Sequence, residues 1–237
     1  MRFRYLRLGV GLAAGISLAS CGLINSDATN FAIALPDKKF TINADSWQVD
    51  QTAADQFLSV SCQSSSQVCS SEVQQACPMG CTGSCDAAKA TCDLSLDISL
   101  SQPIDLMMEQ PQLKTLSDES AIKVSVDTVT YAITANGLSV ETPPLTVYVA
   151  PMSVISSSDT QSTEIGTIPA VPAGQRTTEP LPIAFTATGK DKLDSMLSTF
   201  KTPFNVLIGA SLHLTSGQPV PTGELDAVLN VTGHAGL

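Results

Sequence analysis

Seven cysteines and two histidines carry most of the reactive chemistry in this 237-residue chain. Six of the cysteines, Cys62, Cys69, Cys77, Cys81, Cys85 and Cys92, crowd into "CQSSSQVCSSEVQQACPMGCTGSCDAAKATC", while Cys21 stands alone about forty residues upstream. Thiols at this density bind a metal, cycle between redox states or lock into disulfides. The Cys-x3-Cys-x3-Cys spacing from Cys77 to Cys85 differs from the usual zinc knuckle, and no histidine lies nearby. The Cys-x2-Cys redox signature is missing as well. An even number of cysteines in an oxidising compartment predicts three structural disulfides, with no metal and no cofactor. Six cysteines allow fifteen pairings. The intervals of seven, eight, four, four and seven residues form a near-palindrome, which points to nested bridges with Cys62–Cys92 outermost.

Histidine chemistry has little to work with. His213 lies between Leu212 and Leu214, on the polar phase of a strand, and reads as a surface residue. His234 sits in "TGHAGL" near the C-terminal end, where fraying is expected. A Ser-His-Asp triad would have to recruit one of these two. Neither a Gly-x-Ser-x-Gly elbow nor a glycine-rich phosphate loop occurs. The acidic pair Asp118-Glu119 falls in a loop-like stretch and reads as solvated. The expectation is no catalytic residue and no enzyme. A glycosidase whose two carboxylates are distant in sequence is one form of enzyme left open.

The isolated Cys21 has its own context. "MRFRYLR" carries Arg2, Arg4 and Arg7 and no acid, and an uncharged run follows from Leu8 to Ala19. A basic start, a short apolar middle and a small-residue exit describe a secretory signal. The run is too short to span a membrane, which takes about 20 residues. The exit, Leu18-Ala19-Ser20-Cys21, resembles the lipobox of bacterial lipoprotein precursors. That resemblance implies lipid transfer to the Cys21 sulfur, cleavage after Ser20 and acylation of the new amino terminus. Two or more acyl chains anchor a domain stably where one does not. Gly22 and Leu23 follow the cysteine, without the Asp that retains Gram-negative lipoproteins at the inner membrane. The expected location is therefore the bacterial envelope, at the outer membrane, with the membrane itself as a partner.

Cleavage would leave 217 residues, enough for one large β domain or two small ones. With Arg2, Arg4 and Arg7 gone, 9 basic residues face 22 acidic ones, a net charge of −13. Such a chain has no basic patch to neutralise phosphates and excludes nucleic acid as a partner. It gains nothing electrostatically from an anionic membrane either, so attachment must come from the lipid.

These features divide the chain into five segments: a signal at 1–20, a lipid-anchored tether at 21–30, first strands at 31–49, a cysteine-rich module at 50–93 and a β-sandwich at 94–237. The first strands are expected to break at Pro36-Asp37. A short helix is expected within 50–61, with Ala53, Ala54, Phe57 and Leu58 on one face. Two more short helices are expected in the module. One is capped at Ser71-Glu72-Val73-Gln74 and aligns Cys69, Val73 and Cys77; the other starts at Asp86 and aligns Cys85, Ala88 and Cys92. Beyond Cys92 a two-residue period takes over. Leu94, Leu96, Ile98 and Leu100 alternate with polar residues, and Ile122, Val124 and Val126 continue the theme. The parity then moves to Val129, Tyr131 and Ile133, which predicts a bulge near Asp127-Thr128. Asn136-Gly137 predicts a hairpin turn. Leu145, Val147 and Val149 follow, then Phe204 to Leu214, then Leu225 to Val231. One helix interrupts them, with a capping box at Thr188-Gly189-Lys190-Asp191, a stripe of Leu193, Met196, Leu197 and Phe200, and a stop at Pro203.

The predicted class is mainly β, an antiparallel immunoglobulin-like sandwich with one short helix and a small disulfide-rich helical insertion. "VTYAITANGL", "IPAVPAGQRTTEPLPI" and "PFNVLIGASLHL" are similar to stretches of the type-2 late-embryogenesis-abundant, or water-stress-hypersensitivity, domain. That resemblance covers roughly residues 94–237 and implies the sandwich, with a short helix before its late strands and no catalytic residues. The functional expectation is a lipid-anchored envelope protein with a non-catalytic binding or structural role, an envelope protein being one possible partner. The alternatives are a carrier with an apolar cavity between its sheets, and a hydrolase with a histidine in reach of a serine or an acid.

Overall fold

The computed structural model describes residues 31–63, 65, 67–111, 113 and 123–236. Cys21, the signal and tether segments, the Asp118-Glu119 pair and Ile122 lie outside the described residues. Two antiparallel sheets pack face to face. The first holds β1 (Phe31–Ala34), β2 (Lys38–Asn43), β5 (Lys123–Asn136), β8 (Leu181–Pro182) and β11 (Glu224–Gly236). The second runs in the order β3 (Cys81–Asp86), β4 (Thr91–Ile104), β10 (Phe204–Leu214), β6 (Leu145–Pro151), β7 (Thr163–Ile168) and β9 (Ala184–Phe185). β1 and β2 lie end to end along one side of β11, separated by the break at Pro36-Asp37.

Alternation decides which face is covered. Along β11, Leu225, Ala227, Leu229, Val231, Gly233 and Ala235 are buried and the residues between them are half-exposed. β5 carries the same pattern with a change of phase. Val126 pairs with Gly233 and Thr128 with Thr232, leaving Asp127 as the extra residue of a bulge, at the predicted place. A second register shift leaves out Thr134, between the pairs Ala135–Asp226 and Ile133–Ala227.

Helices pack against strands of both sheets. α1 (Gln51–Leu58) is capped by Asp50, whose Oδ1 accepts from the Ala53 N–H at 2.9 Å. Ala54, Phe57 and Leu58 are buried. α2 (Gln67–Ala76) buries Cys69, Val73 and Ala76. It starts a turn earlier than its expected cap, so Ser71 lies inside the helix, where its hydroxyl donates to the Val68 carbonyl at 2.9 Å. α3 is a single turn, Leu106–Glu109. α4 (Gly189–Ser198) buries Leu193 and Leu197 against the strands and ends before Pro203. Thr188 occupies its N-cap position but makes no side-chain cap bond, so the expected capping box is not formed. Gly189 is required by proximity, since a Cβ there would lie 1.9 Å from the Ile165 carbonyl oxygen.

Three further expectations are corrected. Asn136-Gly137 does not turn a hairpin: both sides of β5 are taken, by β11 and β8, so the chain crosses to the other sheet to form β6. Asn136 is buried and anchors this crossing. Its amide donates to the Pro172 and Gln175 carbonyls at 3.0 Å each, and its Oδ1 accepts from the Leu138 N–H at 3.1 Å. Asp86 starts no helix. It accepts from the Ala88 N–H at 2.8 Å, Ala90 adopts a φ of 56°, and the turn returns the chain as β4 with Cys92 opposite Cys85. An aspartate accepting from the second amide onward is common to helix caps and tight turns, and the strand partner selects the turn.

The third correction is the disulfide pairing. The bridges are Cys62–Cys85, Cys69–Cys92 and Cys77–Cys81. The first two cross rather than nest, so Cys62–Cys92 is not an outer bridge. The reason is the β3–β4 hairpin. Cys85 and Cys92 face each other across it but take different partners, Cys85 the approach to α2 and Cys92 the helix itself. The cysteine-rich stretch shares one core with the sheets: Cys69, Cys77 and Cys92 belong to the same buried cluster as Leu94, Leu96 and Val126. β4 is continuous across the 93/94 position.

Candidate functional site

Both histidines make hydrogen bonds that strand register creates. Ser125 stands opposite His234 in the β5–β11 ladder. Its Oγ lies 2.9 Å from His234 Nε2, and His234 Nδ1 lies 2.9 Å from Asp127 Oδ1. A carboxylate only accepts, so Nδ1 carries the hydrogen, and in the neutral ring Nε2 is then free to accept from the serine hydroxyl. This is the atom order of a Ser-His-Asp relay. His234 is therefore held in a strand, contrary to the fraying expected of it. Asp127 reaches the ring because the bulge turns it onto the same face. Elsewhere, His213 is exposed, as its polar phase predicts, and its Nδ1 lies 2.7 Å from Ser95 Oγ on β4. Asp93 precedes Ser95 on the same face. Burial pushes its carboxyl above the usual aspartate range, with Asp86 adding to the shift, and its Oδ1 is buried without a hydrogen-bond partner.

Two further features describe the surroundings of this relay. The His234 and Asp127 side chains are 44% and 53% exposed, so water screens their attraction. The amide that follows Ser125 is also occupied: the Val126 N–H donates to Asp194 Oδ1 at 2.6 Å rather than facing a developing oxyanion.

Among the described residues, two of the surface grooves are wide enough to hold a small molecule. One, of about 360 Å³, lies where β2 and β4 approach at the side of the sandwich, lined by Ile42, Trp47, Met79, Ile98 and Leu100 with several polar neighbours. Trp47 is 5% exposed, and its indole N–H donates to the Asp97 carbonyl at 2.9 Å, so it acts as a wall and not as an exposed patch. The other, of about 430 Å³, lies on the outer face of the second sheet, beneath the loop joining β6 to β7. It is lined mainly by hydroxyl groups, with Tyr148 and Asp97. The first groove is bounded by strands of both sheets where their edges meet, and the second lies outside them. Among the described residues, the large exposed apolar side chains are Met79, Met108, Met152, Ile155 and Leu181, and only Met152 and Ile155 share a loop.

The six clustered cysteines are brought together as described above, in bridges that leave no thiolate for a metal. Sequence reasoning missed Ser125, Asp127 and Ser95 because residues about a hundred positions apart meet only through register. The parity break at Asp127 was the one visible signal. No family model matches this chain, and no curated protein matches it.

Proposed function

We propose that this chain is an exported bacterial lipoprotein, held at the outer membrane through lipid on Cys21, with a non-catalytic binding role in the cell envelope. The observation that carries the reading is the complete pairing of the six downstream cysteines, two of them fully buried, in three disulfides. Such bridges persist in oxidising compartments and not in a reducing cytosol. The pairing supports export, and export makes the lipobox-like Leu18-Ala19-Ser20-Cys21 meaningful. The finer fold within this reading is an immunoglobulin-like sandwich akin to the water-stress domain. Its support is the placing of α4 just before the last two strands.

The non-catalytic role is supported by the exposure of the Ser125–His234–Asp127 relay and the engagement of the Val126 amide. A carrier would need an enclosed apolar cavity between the sheets; the groove bounded by β2 and β4 opens to solvent at their edge, and the other lies on an outer face. The test is intact mass of the protein from its own membranes, before and after reduction. The expected mass is that of residues 21–237 plus acyl groups, rising by six hydrogens on reduction of three bridges. A mass without lipid overturns the anchor. A chain that gains no hydrogens overturns the oxidising compartment.

A further inference from the structure

The groove on the outer face of the second sheet is built around a missing side chain. β10 is an interior strand, and glycine is disfavoured in such a position unless something must approach closely. At Gly209 a Cβ would lie 2.4 Å from Ser157 Oγ and 3.1 Å from the Tyr148 ring. The glycine thus lets the β6–β7 loop settle onto the sheet and forms part of the groove lining. Asn205, 3% exposed, holds the base of that loop, donating to the Met152 and Val154 carbonyls at 3.0 and 2.8 Å. The loop is tied to β4 as well, the Ser157 N–H donating to Ser99 Oγ at 3.0 Å.

These contacts set out an array of hydroxyls. Ser156 and Ser158 lie 2.9 Å apart, and Ser211 donates to Asp97 Oδ1 at 3.3 Å across the β4–β10 ladder. A hydroxyl offers one donor and two acceptor positions, so an internal bond leaves each with capacity for a ligand. None of the lining residues is cationic, and the one charge is the Asp97 carboxylate. An anionic ligand would meet no counter-charge, and an apolar one would bury hydroxyls at a cost. The occupant that fits offers many hydroxyl donors and acceptors, no negative charge, and an apolar face for the half-buried Tyr148 ring. The groove volume of about 430 Å³ lies in the range of small-molecule sites.

The geometry points to a binding site for a neutral glycan, with the Ser156–Ser158 loop, Ser211 and Asp97 recognising hydroxyls and Tyr148 stacking on a sugar ring. This deepens the binding role above and rests on that reading only for where the glycan is met. Envelope glycans include N-acetylated and plain sugars, so the full-length protein in detergent is titrated calorimetrically with chitohexaose and with cellohexaose. A sulfated heparin hexasaccharide serves as the anionic comparison. Saturable binding of at least one neutral sugar is expected, with none of the heparin fragment. Ser211→Arg, which plugs the groove from a partly exposed strand position, should weaken it at least about ten-fold. Its melting temperature should stay within ~2 °C of wild type. Ser158→Ala is the milder second variant and should weaken binding in the same direction. The inference is overturned if neither neutral sugar binds up to about 10 mM. It is overturned equally if the heparin fragment competes, or if both variants bind as wild type does. A protein found without lipid that still binds sugar loses the anchor and keeps this site; a lipidated protein that binds none does the reverse.

Discussion

Removing Cys69–Cys92 by the double change Cys69→Ala and Cys92→Ala should cost more than removing Cys77–Cys81, and crossing explains how much. Cys69–Cys92 and Cys62–Cys85 each span 23 residues, but neither closes a loop of that length while the other is intact. A shorter circuit runs seven residues from Cys69 back to Cys62, across the second bridge, and seven residues on to Cys92. Closing a loop of roughly 15 residues removes about 3 kcal/mol of chain entropy from the unfolded state. Cys69 and Cys92 are both 0% exposed, so losing two buried sulfurs adds roughly 1 kcal/mol each, on the scale of a buried methylene. The expected loss is about 5 kcal/mol. Cys77–Cys81 spans only 4 residues and lies inside both larger loops. The same relation gives about 2 kcal/mol for it, plus roughly 1 kcal/mol for the buried Cys77 sulfur. In a domain of this size each kcal/mol moves the melting temperature by about 3 °C, giving drops of about 15 °C and about 9 °C. Urea unfolding of the oxidised full-length variants, analysed by linear extrapolation, reads both losses directly. If the Cys77–Cys81 variant proves as costly as the other, or if reduction of the wild type leaves its midpoint unchanged, the loop argument is wrong.

Other consequences are local. Asp93→Asn should stabilise the fold at neutral pH by about 1 kcal/mol, since an ionised carboxylate with an orphaned buried oxygen is replaced by a neutral amide. The sign follows from the raised carboxyl. The folded state holds the proton more tightly than the unfolded chain, so the penalty is absent below the ordinary value of 3.8 and complete above the raised one. Melting curves of the variant and wild type should therefore converge near pH 3 and separate by pH 7. Asn136→Ala strands two carbonyls and one amide in the crossover and should cost about 2–3 kcal/mol in urea unfolding. Gly189→Ala drives a Cβ into the backbone of Ile165, where no side chain can move aside, and should cost at least about 3 kcal/mol. A fluorophosphonate probe should leave Ser125 unmodified in the folded protein, and a stable adduct there would refute the non-catalytic reading.

Much of the fold is legible in the periodicity of the sequence. A strand with one covered face must alternate, and Leu94 to Leu100 and Leu225 to Val231 do so; Phe204 to Leu214 alternates in residue type, but Phe204 to Gly209 are all buried because the β6–β7 loop covers the outer face there. The displaced parity at Asp127 located the bulge, because an extra residue in one strand reverses every side chain after it. The stripe through Leu193 and Leu197 located α4 for the analogous reason at a period of 3.6 residues. Caps and turns were less readable. Ser71, Asp86, Asn136 and Thr188 carry short polar side chains that bond a nearby amide in a helix, a turn or a crossover alike, and only the neighbouring strand settles which.

What the sequence determined by itself is covalent and local: the cysteine inventory, the acidic charge, the alternation that makes two sheets, and the breaks between elements. These depend on each residue and its near neighbours along the chain. Tertiary structure alone decided the crossed bridges, the change of sheet after Asn136, the Ser125–His234–Asp127 relay and the hydroxyl groove around Gly209. Each of these joins residues from different strands, and their meeting is set by which strands pair and in what register. Register is a property of the whole packed core, since a slip of one residue would turn the buried faces of β5 and β11 to water.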